Sequence, residues 1–243
     1  MAVRLSPSTD SAAFVARAVR VCNYFEVMGS PGHCSLRDPD DANVLWINNR
    51  HAGRSILTAA DVVPYDIRAR RRIGEGVEPP SEHFIHRELY LRFPEVMGIV
   101  HSHPENILAL SCAGHALKPL ISSGAFLPEG GAPVFDSPVL INTEVRSRGM
   151  ADAMGDAPIV VMRQHGTVTV GRSLEEAVTR MVRAELNAKI ELQTIALGKP
   201  LFLRGAEKAG LNAESGDGKH GIKKFWTYLE ETAERNGAFL GLE

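Results

Sequence analysis

The sequence predicts a mixed α/β protein built as one domain over residues 1–243, and three observations carry that expectation. Amphipathic segments at helical spacing alternate with short apolar runs of strand character. The composition, 44% hydrophobic and 23% charged with both signs nearly balanced, is that of an apolar core inside a solvated surface. A chain of 243 residues removes roughly 70–75% of its extended surface on folding, so its core needs no disulfide or structural metal.

The elements follow in order. From Thr9 to Met28, Phe14, Val15, Ala18, Val19, Cys22 and Phe25 recur at helical spacing, and Gly29 follows as a stop. Gly29 to Asp41, with two glycines and two prolines, reads as a loop leading to a short strand at Val44 to Ile47. The arginine-rich stretch Arg68 to Arg72 reads as a solvated turn. After the extended Pro79 and Pro80, Ser81 is placed to cap a helix reaching Arg92, which puts Glu82 in its first turn. Val96 to His103 is a strand in which His101 and His103, two apart, share a face. Pro158 to Met162 is another strand, entering a turn at Gln164, His165 and Gly166. Ser173 to Glu176 form a capping box for a long helix closed near Gly198 and Pro200. Residues 205–221, rich in Gly, Lys, Glu and Asp without periodicity, predict a mobile loop before a last helix from Ile222 to Arg235.

Several function classes are disfavoured. A net charge of −2 gives no field that would draw the chain to nucleic acid or an anionic membrane. No apolar stretch approaches the length of a membrane span, and MAVRLSPSTD carries no apolar leader. The three cysteines, Cys22, Cys34 and Cys112, form no CxxC pair and read as buried free thiols of a reducing compartment, the cytoplasm.

Two imidazoles at i and i+2 on a strand, with His165 from a separate strand end, supply a nitrogen-rich set that a first-row divalent ion accepts. Spacing alone leaves the alternative open, that HSHP is a surface pair and His165 a hydrogen-bonded core histidine.

The segments PPSEHFIHRELYLRFPEVMGIVHSHP and MRQHGTVTVGRSLEEAV resemble, in order, spacing and flanking residues, the two signature blocks of the class II aldolase/adducin superfamily. The resemblance extends from about Phe14 to Phe202. It implies metal ligands at His101, His103 and His165 and a catalytic acid/base at Glu82. It further implies one divalent ion per subunit (zinc, manganese, iron or cobalt), a three-layer αβα fold around a mainly antiparallel sheet, and a homotetramer. His86, one turn after Glu82, is expected to serve helix packing, and His51 stays ambiguous.

Sugar-phosphate members of that superfamily hold phosphate with a Gly-Asn-x-Ser turn, a Ser-Gly pair and two serines before the acid. Here those places read Gly32-His33-Cys34-Ser35, then Asn49 to Gly53, then Pro80-Ser81. The phosphate donors are depleted. Arg50, Arg54 and His33 are instead suited to pair with a planar carboxylate, so the expected partner is a small-molecule carboxylate touched by His33, Ser35, Arg50, Arg54 and Ser81. The stretches GHCSLRDPDD and GAFLPEGGAPVFD are most similar to the branch that decarboxylates hydroxylated aromatic acids such as 3,4-dihydroxyphthalate. The competing expectations are an aldolase or epimerase acting on a hydroxy-acid or sugar, a non-haem iron oxygenase, and an adducin-like binding module without catalysis.

Overall fold

The computed structural model describes residues 7–214 and 219–242. Eight strands form one sheet: β1 (His33–Arg37), β2 (Val44–Asn48), β3 (Val62–Asp66), β4 (Arg71–Arg72), β5 (Gly98–Ser102), β6 (Val134–Phe135), β7 (Ile159–Met162) and β8 (Gly166–Gly171). They lie in the order β4-β3-β2-β1-β5-β8-β7-β6. Every neighbouring pair is antiparallel except β6 with β7, which is parallel.

Seven helices accompany the sheet among the described residues: α1 (Pro7–Tyr24), α2 (His83–Arg92), α3 (Glu105–Cys112), α4 (Glu144–Met154), α5 (Leu174–Leu197), α6 (Gly205–Glu214) and α7 (Lys219–Arg235). The two-residue period of the strands sorts the core into layers. On one face Cys34, Val62 and Val100 pack with α1, α5 and α7. On the other Ile47, Val63, Ile99 and Val168 pack with α2 and α4. The mixed α/β expectation and its mainly antiparallel central sheet are both realised.

Local chemistry explains where elements begin and end. Ser173 accepts a hydrogen bond from the Glu176 N–H (3.2 Å), while the Glu176 carboxylate takes the Arg172 N–H (2.6 Å), so the capping box is present with its return bond displaced by one residue. Gly98 is required where β5 passes under the start of α5, since a Cβ there would lie 2.3 Å from Leu174 Cα.

Four expectations need correction. The Gly29 to Asp41 stretch contains strand β1. Its polar residues His33, Ser35 and Arg37 alternate with Cys34 and Leu36, and all three are buried, so the usual rule of apolar-in and polar-out misreads it. Residues 205–214 are helix α6 rather than a loop. That helix is fastened by the Glu207 carboxylate accepting the Arg204 N–H (2.8 Å) and by the Lys208 ammonium donating to Leu127 O (2.5 Å). Helix α7 begins at Lys219, and residues 215–218 of the expected loop lie outside the described residues. Ser81 does not cap α2: Glu82 occupies the N-cap position, and the turn closes on Pro80 O, which accepts the His83 N–H (3.1 Å). Finally, Cys112 ends α3 exposed, whereas Cys22 and Cys34 are buried.

Candidate metal centre

Pairing across the sheet centre assembles the site. In β5 and β1, His101 sits opposite His33 and Ile99 opposite Ser35, so all four side chains share the face covered by α2. Helix α2 contributes Glu82, His86 and Tyr90, spaced by four and therefore on one stripe. His103 follows the end of β5, and His165 stands in the tight connection between β7 and β8. That connection turns through Gln164, which takes the left-handed region (φ 59°) as the third residue of the turn closed by the His165 N–H on Met162 O (3.0 Å). Gly166 closes it. A Cβ there would meet Ser102 O at 2.5 Å and His103 Cδ2 at 2.6 Å.

Each of His101, His103 and His165 presents a ring nitrogen, and the three lie within 4.8 Å of one another; His33, Glu82 and His101 form a second such group. Glu82 Oε2 is 3.6 Å from His101 Nε2, and Oε1 is 3.5 Å from His165 Nε2. Oε1 also accepts the Ile141 N–H at 2.7 Å, which fixes the carboxylate from the opposite side.

The donor set fits a divalent cation. His101 Nε2, His103 Nδ1 and both nitrogens of His165 are buried without a hydrogen-bond partner, an arrangement costly for polar atoms unless something satisfies them. His101 Nδ1 lies 3.0 Å from Thr167 O. A carbonyl only accepts, so Nδ1 carries the hydrogen and Nε2 turns its lone pair into the site. Burial, followed by the neighbouring His101 and His165, pushes His103 down to about 3, so at physiological pH it would offer a neutral nitrogen to an ion. Burial acts to raise Glu82, but the imidazoles of His101 and His165 and the Ile141 N–H outweigh it and hold the carboxyl well below the usual carboxylate range. Three imidazoles beside one carboxylate make an oxygen-and-nitrogen set suited to a first-row ion.

The other expected contacts divide. His33 and Ser35 are buried within reach of this cluster: His33 Nδ1 is 2.6 Å from His86 Nε2, and Ser35 Oγ is 2.6 Å from His86 Nδ1. Burial, then His86, pushes His33 well below its ordinary value, so it offers no charge to a carboxylate. Arg54 is buried and ties a loop together, donating from Nε to Gly32 O (2.8 Å) and from Nη1 to Ala52 O (2.6 Å). Arg50 and Ser81 are exposed. Two contributors escape sequence reasoning. The Ile141 amide comes from a segment 59 residues beyond Glu82, with no local signal. Tyr90, bonded through its hydroxyl to Ser35 Oγ at 2.9 Å, was legible only as an apolar helix position.

A cleft of about 720 Å³ opens beside His103, bounded also by Phe25, Met28, Asn106, Glu185 and Tyr228. It is large enough for a small aromatic ligand.

Residues 14–192 match the class II aldolase and adducin N-terminal domain family. The chain belongs to that family. Among similar proteins of this class II aldolase family, the 3,4-dihydroxyphthalate decarboxylase of Terrabacter sp. (strain DBF63) is 35% identical over 178 residues, covering 70% of this chain and 74% of the relative. The 3,4-dihydroxyphthalate decarboxylase of Rhodococcus jostii (strain RHA1) is 32% identical over 201 residues, covering 77% and 81%. The aldolase II superfamily protein from Pseudomonas syringae superposes with a TM-score of 0.82 at 20% identity, covering 97% of this chain and 96% of that one; at that identity the likeness concerns the fold alone. Among the described residues no helix is long and apolar enough to cross a membrane.

Proposed function

We propose that this class II aldolase-family protein is a metal-dependent decarboxylase of a hydroxylated aromatic carboxylic acid, of the kind represented by 3,4-dihydroxyphthalate. The single observation that carries the reading is the convergence of ring nitrogens from three histidines within 4.8 Å of one another, with the Glu82 carboxylate 3.5–3.6 Å from His165 and His101, in a chain 35% identical to a named decarboxylase.

His101, His103 and His165 would hold zinc, manganese, iron or cobalt. When bound, the ion supplies a Lewis acid for the charge that develops on the substrate oxygens as CO2 departs. The chain's own residues do the rest. Thr167 O fixes the tautomer of His101, and burial pushes His103 down to about 3 and so keeps it neutral. Loss of CO2 leaves an electron pair on the ring carbon, and a proton closes the reaction there. Glu82, an ionised carboxylate aimed by the Ile141 N–H, would hold the water that delivers this proton, and the hydroxide left behind is reprotonated from solvent.

The substrate class rests on chemistry of the pocket walls. The first of the positions that cradle phosphate in sugar-phosphate members carries His33 and buried Ser35, both engaged with His86, so these two side chains are not free to wrap a phosphate. A homotetramer is also proposed, as the family resemblance implies, and the exposed Val134, Leu140 and Val145 are consistent with a face that another copy covers.

The discriminating experiment compares CO2 release from 3,4-dihydroxyphthalate with cleavage of four- to six-carbon sugar phosphates by metal-reconstituted protein. CO2 release without retro-aldol products is expected. Efficient cleavage of a sugar phosphate with no CO2 would move the protein to the aldolases, and absence of any tightly bound metal would favour a non-catalytic binding module.

A further inference from the structure

Behind the proposed metal ligands runs a buried hydrogen-bonded chain that the reaction outlined above does not use. Tyr90 OH donates to Met97 O (3.3 Å). Ser35 Oγ lies 2.9 Å from the Tyr90 oxygen, His86 Nδ1 lies 2.6 Å from Ser35 Oγ, and His33 Nδ1 lies 2.6 Å from His86 Nε2. All four side chains are 0–1% exposed, so water does not compete for these bonds. The chain ends at His33 Nε2, which is buried without a partner, on a ring that offers one nitrogen within 4.8 Å of a Glu82 oxygen and a His101 nitrogen.

The direction of the hydrogens follows from counting them. A carbonyl only accepts, and each hydroxyl and each neutral imidazole has one hydrogen to give. With the tyrosine hydrogen committed to Met97 O, the Ser35 hydrogen goes to Tyr90. Ser35 Oγ then accepts from His86 Nδ1–H, which leaves a lone pair on His86 Nε2, and that lone pair takes the hydrogen of His33 Nδ1. The ordering propagates to the far end, where His33 Nε2 presents a lone pair to the site. The sense is set at the Tyr90 end: a reversed chain keeps its three side-chain bonds and gives up only the bond from the Tyr90 hydroxyl to Met97 O.

We infer that His33 is a specificity-determining residue that accepts a hydrogen bond from a substrate hydroxyl beside the metal-bound oxygens, with His86, Ser35 and Tyr90 acting as positioning residues that fix its tautomer. The inference rests on the hydroxyaromatic reading for its ligand class. A hydroxyl donor is bound there. A carboxylate, a phosphate or a methyl ether brings a second acceptor against the lone pair and is rejected, because a buried polar atom built to receive a hydrogen is left unpaired. His33 therefore discriminates by hydrogen-bond polarity rather than by charge.

The test has two arms. In metal-free protein carrying 15N-labelled histidine, nitrogen NMR should find His33 protonated at Nδ1 and bare at Nε2, and Ser35→Ala should turn this into a mixture of tautomers. A His33 protonated at Nε2 overturns the inference, whether or not the protein decarboxylates anything. In the second arm, calorimetry on zinc-loaded protein compares 3,4-dihydroxybenzoate with its two monomethyl ethers. One ether should bind at least about 10-fold more weakly, and His33→Phe or His33→Gln should abolish the difference while retaining one zinc per chain. Undiminished discrimination in both variants overturns the role of His33. Loss of zinc binding in both variants also overturns it, since His33 would then serve the ion. Failure of the wild-type protein to turn over hydroxyaromatic acids, with the tautomer as expected, strikes the functional reading alone.

Discussion

At the residue scale, Glu82 separates binding from chemistry. Glu82→Gln keeps the shape and an oxygen that accepts the Ile141 N–H, but it loses the carboxylate charge that would hold the proton-delivering water. The expected outcome is metal content close to wild type by elemental analysis and turnover reduced roughly 10²- to 10⁴-fold. Full activity in this variant would remove Glu82 from the mechanism. The four residues that the structure brings together at the candidate site were legible because each stands in a dense motif: Glu82 just after Pro80-Ser81, His101 and His103 in HSHP, and His165 in QHG. The arginines were not. Nothing in NNRHAGR distinguishes Arg54, buried and bonded to three backbone carbonyls, from Arg50, which is exposed. That difference is set by the loop closing onto Gly32, a long-range event with no local spacing.

At the scale of single elements, the β7–β8 hairpin aims His165, and its sensitive point is Gly166. Adding a methyl group there places a carbon 2.5 Å from Ser102 O and 2.6 Å from His103 Cδ2, so backbone and ligand ring must both shift. Gly166→Ala is expected to cost about 1–3 kcal/mol of stability in urea unfolding and at least about 10-fold in metal affinity, by analogy with the loss of supporting contacts around other metal ligands. Wild-type zinc affinity in the variant would show that the hairpin does not set the ligand geometry. Strand β1 shows why some elements hide from the sequence. His33, Ser35 and Arg37 do alternate with Cys34 and Leu36, but both sides of the strand are covered, and the polar set is satisfied by His86, Tyr90 and the carbonyls of Val96 and Tyr90. Binary patterning registers such a strand as loop. Helix α6 was hidden for the opposite reason: its glycines lower propensity, and its anchors, Glu207 and Lys208, are polar.

At the scale of the whole molecule, alternation of strand and helix was readable from periodicity, whereas the strand order, with β1 and β5 adjacent at the centre, follows from pairings between distant segments. That adjacency is what brings His33 against His101. Global stability should carry one pH signature away from the site. Glu191 on α5 is 1% exposed with Oε2 unpartnered, and burial, opposed by Lys118, pushes its carboxyl up to about 7. The folded state thus binds this proton more tightly than the unfolded state does. Its contribution to stability is intact below the unfolded value near 4.5 and declines as pH rises from there through 7. Glu191→Gln, which cannot ionise, should equal the wild type near pH 4 and exceed it at pH 8 by on the order of 3 kcal/mol. Parallel pH profiles for the two proteins would contradict the burial argument.

The account as a whole turns on whether decarboxylation happens at the three histidines. The most direct measurement is CO2 release from 3,4-dihydroxyphthalate while zinc, manganese, iron or cobalt is titrated into chelator-stripped wild-type protein and into His165→Ala. The account predicts that one of these ions restores CO2 release in the wild type, saturating at one equivalent per chain, and that His165→Ala neither retains that ion nor recovers activity. Full CO2 release by the stripped protein, or by His165→Ala, would contradict it.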